Sequence, residues 1–160
     1  MKDDNYDFYI FIDYSKNLIG YNIIEQVKIK ELLPKISRFR HYKDSRDKKL
    51  YIKNVKNTIK RENIYSYFLR IKIKDISRNI EIYSDVLEFL KKHPNSIVFA
   101  SIDNHEYPNF IKLVNILDGE NIKVMKESEV KLPITASCGA SKRRTKNRLI
   151  LTALCFFLVF

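Results

Sequence analysis

The stretch Phe8-Tyr9-Ile10-Phe11-Ile12-Asp13-Tyr14-Ser15-Lys16-Asn17-Leu18-Ile19-Gly20-Tyr21-Asn22-Ile23-Ile24 decides the fold, because its second half admits two readings. Residues 8–12 form a continuous aromatic and β-branched run, as expected of a strand buried on both faces. Asp13 closes that run with a charge, and residues 14–17 are polar enough for a loop or a helix start. The segment up to residue 29 is ambiguous. Leu18, Ile19, Ile23 and Ile24 suit one face of a helix, whereas residues 21–29 also suit a strand folded back on the first as a hairpin.

Further along the chain the patterns are sharper. Residues 30–37 predict a short helix, with Leu32, Leu33 and Ile36 apolar and Pro34 tolerated in its first turn. Residues 37–42 offer a short strand. Residues 48–62 predict a long helix: Ile52, Val55 and Ile59 make an apolar stripe, and Lys49, Lys53, Lys56 and Lys60 make a ridge about 90° around from it. Residues 65–73 predict a strand with Leu69, Ile71 and Ile73 on one face and Arg70, Lys72 and Lys74 on the other. Residues 79–93 hold a helix whose inner stripe is Ile82, Val86, Phe89 and Leu90. Residues 97–102 are a second apolar strand. A helix over 107–117, stopped by Asp118-Gly119, and a last strand over 122–125 complete the body.

Strands alternating with helices over short connections predict an α/β fold, a three-layer sandwich with a largely parallel sheet. With 160 residues and 45% hydrophobic content, the chain suits one core, placed in residues 1–129, followed by a tail over 130–160. The formal charge of +11 divides unevenly, because all 19 acidic residues precede Val130 and six basic residues follow it. A moderately basic body suits nucleic acid as a partner, and the lysine ridge is the expected phosphate-tracking surface. The tail ends in twelve apolar residues, 149–160, which span about 18 Å as a helix and fall short of a membrane core of about 30 Å. A transmembrane span is not expected. A buried terminal element, a peripheral membrane contact and an atypical end remain as readings of the tail. Two cysteines, both in the tail, provide neither a disulfide framework nor a zinc pattern, so a cytoplasmic setting is expected.

Charged residues at the ends of buried strands need a chemical reason. Asp13 ends the first apolar run, Asp103 ends the 97–102 run, and Glu81 and Asp85 open the helix between them. Carboxylates brought together repel, and a cation relieves them. Magnesium or manganese is the natural choice, because hard divalent ions take oxygen ligands and few protein side chains. The chemistry this implies is metal-assisted phosphodiester hydrolysis. In an α/β sheet such sites collect at the carboxyl ends of the strands, where Asp13 and Asp103 are expected.

The stretch Phe11-Ile12-Asp13-Tyr14-Ser15-Lys16-Asn17-Leu18, with Ile29-Lys30-Glu31-Leu32-Leu33 after it, resembles the opening of NYN domains of the PIN-like nuclease superfamily. Ser101-Ile102-Asp103-Asn104-His105-Glu106-Tyr107-Pro108, followed by Phe110-Ile111-Lys112-Leu113-Val114, Gly119 and Ile122-Lys123-Val124, resembles that family's later strand, acidic loop, helix and final strand. Arg78-Asn79-Ile80-Glu81 with Asp85 occupies the place of its middle acidic helix. The resemblance implies a PIN-like fold and a metal-dependent ribonuclease. It further implies Asp13, Glu81 and Asp103 as catalytic metal ligands, Asp85 and Glu106 as further ligands, and Asn17 as a substrate-orienting amide. Two alternatives stand beside it. One is a ribonuclease H-like nuclease on a mixed sheet, with residues 21–29 paired to 8–12 and residues 69–73 paired to 79–83. The other is a catalytically degenerate nuclease-like fold that binds RNA or a protein partner, another copy of itself included.

Overall fold

A computed structural model of the chain describes residues 6–14, 17–36, 45–101, 107–118 and 123–126. The first apolar run is strand β1 (Phe8–Tyr14), and the ambiguous run after it is strand β2 (Leu18–Glu25). The two form an antiparallel hairpin in which Ile12 lies opposite Tyr21 and Asp13 opposite Gly20. Burial explains why the strand reading prevails over the helical one. Every residue from Ile19 to Ile24 is buried. A helix lying on a sheet would turn part of that run to water, whereas a strand with neighbours on both sides hides both of its faces.

Helix α1 (Gln26–Ile36) follows β2 directly. It begins earlier than residue 30, so Pro34 falls in its last turn instead of its first. There the missing N–H leaves only the carbonyl of Lys30, on an exposed residue, without its helical donor. Helix α2 (Lys48–Arg61) is capped by Asp47, whose carboxylate accepts from Leu50 N at 2.9 Å. A short 3-10 turn (Ile64–Tyr67) leads into strand β3 (Phe68–Asp75). After it come helix α3 (Asn79–Lys92), strand β4 (Ser96–Ser101), helix α4 (Tyr107–Asp118) and strand β5 (Lys123–Lys126).

The sheet order is β3-β2-β1-β4-β5. β2 pairs antiparallel with both β1 and β3, and β4 pairs parallel with both β1 and β5. Hence β1, β3, β4 and β5 all run one way and β2 alone is reversed, which makes the sheet mixed and largely parallel. Residues 69–73 pair with β2, and residues 79–83 begin α3 instead of pairing with them. The reason is visible in the sequence of α3, where Ile82, Val86, Phe89 and Leu90 recur at helical spacing and all are buried.

Two apolar clusters sandwich the sheet. On one face Tyr9, Phe11, Ile24, Phe68, Ile97 and Phe99 pack against α1 and α2 through Ile29, Leu32, Ile36, Val55 and Ile59. On the other, Ile10, Ile12, Ile19, Tyr21, Ile23, Val98 and Ala100 pack against α3 and α4, where Ile82, Val86, Phe89, Phe110 and Val114 are buried. The architecture is therefore a three-layer α/β sandwich. Leu69, expected to share a face with Ile71 and Ile73, sits at an irregularity where Ile23 pairs with Arg70 but Ile24 pairs with Phe68. That extra residue re-aims the strand, and Leu69 is left exposed.

No helix among the described residues is long and apolar enough to cross a membrane. The strand expected over 37–42 and the tail from residue 130 lie outside the described residues.

Candidate active site

Asp13 lies at the carboxyl end of the central strand, the point where the sheet changes character. On one side its cross-strand partner is Gly20 of the reversed β2; on the other it is Ser101, the last residue of β4. Side chains alternate along a strand, so Asp13 shares the face of Tyr9 and Phe11, toward α1 and α2. Its neighbours Ile12 and Tyr14 both pack on the opposite cluster, which fixes that parity.

Two β2 residues shape the ground beside Asp13. Gly20 is buried directly opposite it and carries no Cβ on that face. Asn22, one row further in, is opposite Phe11 and Ile71 and only 2% exposed. Its Oδ1 is buried without a hydrogen-bond partner. Leaving such an acceptor unsatisfied costs about 1–3 kcal/mol, so an amide in a row of Phe11, Ile71 and Phe99 asks for an explanation. Gly20 and Asn22 were each visible as interruptions of the apolar run 18–24, but nothing local showed which face they shared.

The middle carboxylates take a different position. Glu81 and Asp85 belong to α3, on the face of the sheet opposite to that of Asp13. Asp85 is ion-paired and hydrogen-bonded to Lys72 of β3, and the Tyr21 hydroxyl donates to its Oδ2 at 3.4 Å. Glu81 receives Arg78 Nε at 2.5 Å and lies 3.5 Å from Lys74 Nζ. The hydrogen bond from Arg78 holds the Glu81 carboxyl below the ordinary glutamate range, and the charge of Lys74 adds to it. The bond to Asp85 likewise raises the Lys72 ammonium above its ordinary value. Burial pushes the Tyr21 phenol up, and the neighbouring Asp85 charge adds to the rise. Each carboxylate thus has cations of the protein itself for partners. Among the described residues, no three His, Cys, Asp or Glu side chains converge as a metal-binding group.

The remaining expected residues divide by location. Asp103 and Glu106 lie outside the described residues; in the chain, Asp103 follows Ser101 by two positions. Asn17 is exposed in the β1–β2 connection, and its carbonyl accepts from Ile76 N at 2.9 Å, tying that connection to the short turn between β3 and α3. Lys49, Lys53, Lys56 and Lys60 are all exposed on α2. The buried Val55 and Ile59 turn the other side of α2 to the core, so the ridge lies in the layer toward which Asp13 points.

The row at Asp13 thus holds one carboxylate, the buried amide oxygen of Asn22 and, at Gly20, no Cβ. No family model matches the chain, and no curated protein matches it in sequence.

Proposed function

We propose that the chain is a magnesium- or manganese-dependent nuclease that hydrolyses RNA phosphodiester bonds, with Asp13 as its first metal ligand and Asp103 as the second. The observation that carries the reading is the place of Asp13, at the carboxyl end of the central strand and beside the end of β4. This is where ligand sites gather in α/β sheets, at the switch point between strands. Of the two nuclease architectures, the ribonuclease H-like one is favoured over the PIN-like one. Its support is the single reversed strand β2, placed between β1 and β3. The cation, when bound, supplies an acidified water and charge stabilisation at the phosphoryl group. Asp13 and Asp103 hold it, Glu106 supplements them, and the α2 lysines track the RNA backbone. Glu81 and Asp85 leave the ligand set, because their charges are already met by Lys74, Arg78 and Lys72.

The same pairing favours a second reading, an RNA-binding module without catalysis. One experiment separates the two. The purified full chain is titrated with Mn2+ by calorimetry and incubated with single-stranded and structured RNA in Mn2+ or Mg2+. Cleavage that falls at least about a hundredfold in Asp13→Asn and in Asp103→Asn, with thermal unfolding unchanged, supports the nuclease. RNA binding with neither Mn2+ uptake nor cleavage overturns it in favour of the module.

A further inference from the structure

We infer that the open edge of β3, along residues 70–74, docks an extended protein segment in which acidic and apolar residues alternate, added to the sheet as a further strand. The inference stands apart from the nuclease reading and does not depend on it.

Three observations carry it. First, β3 ends the sheet, and one bond shows which way its backbone groups point. Ile76 N donates to Asn17 O at 2.9 Å, one step beyond the pair Leu18 and Asp75 and in the same register. Bonded and non-bonded pairs alternate in an antiparallel ladder, so Arg70, Lys72 and Lys74 turn their N–H and C=O groups toward β2. Ile71 and Ile73 turn theirs outward, where no strand among the described residues meets them. Second, this edge lacks the usual guards. Free edges are blunted by proline, by short length, by bulges or by lysines held out over the edge. β3 runs eight residues without proline, its irregularity is confined to Leu69, and Lys72 and Lys74 are drawn aside to Asp85 and Glu81 of α3. Third, the two faces beside the edge differ in character. Toward α1 and α2 stand Ile71, packed at the margin of the core, and Ile73, 37% exposed. Toward α3 stand Lys72, Lys74 and Arg70, whose guanidinium lies over the Phe89 ring. With Arg78 and Lys92, five basic residues of that layer meet three acids, Glu81, Asp85 and Glu88. A strand laid along this edge finds apolar neighbours on one face and an excess of positive charge on the other, and alternating apolar and acidic side chains answer both. A second copy of the chain does not answer them, because antiparallel pairing of β3 with itself sets arginine and lysine opposite arginine and lysine.

The test reads the backbone as well as the affinity. Full-length wild type and Ile73→Pro are titrated, by fluorescence anisotropy, with a labelled peptide that alternates glutamate and isoleucine over the length of β3. Two control peptides carry lysine in place of glutamate, or the same residues with the glutamates grouped together. Amide hydrogen exchange is followed in parallel at Arg70, Ile71, Lys72, Ile73 and Lys74. In the free protein the Ile71 and Ile73 amides are expected to exchange faster than those of Lys72 and Lys74, and to slow at least about tenfold when the alternating peptide binds. That peptide is expected to bind at least about tenfold more tightly than either control. Ile73→Pro removes one outward donor while leaving the ladder to β2 whole, and is expected to bind it at least about tenfold more weakly. Should Ile73→Pro not fold, the exchange at Ile71 and Ile73 decides alone. No binding, equal binding of the three peptides, or binding without slowed exchange at those two amides overturns the inference. Protection of the same amides that grows with protein concentration, without peptide, overturns it in favour of a second copy.

Discussion

Lys72 of β3 and Asp85 of α3 form an ion pair that makes a strut of a carboxylate otherwise well placed for chemistry. It is the middle rung of a short ladder. Lys74 meets Glu81 one step along, and Arg70 lends its charge to Glu88 one step back. Basic residues two apart on a strand are spaced about 6.7 Å, and acids three or four apart on a helix are spaced about 4.5–6 Å. The two repeats run antiparallel and nearly in step. The ladder fastens α3 to the edge strand that β2 does not cover on its far side.

The first prediction follows from that assignment. Asp85→Asn removes the charge that Lys72 answers while leaving the Asp13 face untouched. It is expected to lower the melting temperature yet retain wild-type Mn2+ affinity, whereas Asp13→Asn is expected to lose Mn2+ binding. Calorimetry and thermal unfolding on the two variants check this together. Loss of Mn2+ binding in Asp85→Asn would return Asp85 to the ligand set.

Acid should weaken the same contacts. Arg78 holds Glu81 below its ordinary value near 4.5, and Lys92 does the same for Glu88. Arg61, followed by Lys35, lowers Glu62 likewise. A carboxyl whose folded value is depressed contributes stability that is present above the ordinary value and fades as pH falls through the folded one. The chain should therefore lose melting temperature progressively below about pH 4.5, and Glu81→Gln should show a flatter acid limb than wild type. Parallel curves for the two proteins would mean that the Arg78 contact contributes nothing. At the alkaline end the raised Lys72 and Lys35 act oppositely, their stabilisation being lost as pH climbs past the ordinary lysine value of 10.5.

How far the sequence disclosed this arrangement depends on the range of the interactions involved. Helix α3 was legible because Ile82, Val86 and Phe89 repeat at a local period that no neighbour needs to confirm. β1 and β4 were legible because each is a short, nearly continuous run of aromatic and β-branched residues. Residues 18–24 were not, since Leu18, Ile19, Ile23 and Ile24 satisfy a helical face as well as a strand. What selects the strand is burial between β1 and β3, contributed by residues far away in the chain. The candidate site shows the same limit. Asp13 was found from its place at a strand end, but the partners of Asp85 are Lys72, thirteen residues back, and Tyr21, sixty-four residues back. Helical spacing could bring Glu81 and Asp85 near each other; only the parity of β1 could show that Asp13 faces away from both.

Ile82 offers a direct measure of how firmly α3 is seated. It is fully buried among residues of the α3 and α4 face. Ile82→Ala should cost about 2–5 kcal/mol in denaturant unfolding, because the transfer of its methyl groups and the cavity they leave both count. Ile80→Ala, one turn-face away at 72% exposure, should stay within about 0.5 kcal/mol. Equal costs at the two positions would contradict the seating of the helix.

The lysine ridge of α2 is best tested through salt. Lys49, Lys53, Lys56 and Lys60 are exposed, and none of them carries a described ion pair among the salt bridges of the body. Each phosphate contact to a single strand adds roughly 0.7 to the slope of log affinity against log salt. Replacing Lys53 and Lys56 by Glu should therefore weaken RNA binding at low salt and reduce that slope by about 1.4 if both lysines meet phosphates. The reversal should leave folding intact, because Val55 and Ile59, about 90° around the helix from the ridge, carry its packing. Fluorescence anisotropy with a labelled RNA across a salt series provides both numbers. An unchanged slope would show that the ridge only solvates the helix, and the RNA path would then have to be sought along Asp13 and the end of β4.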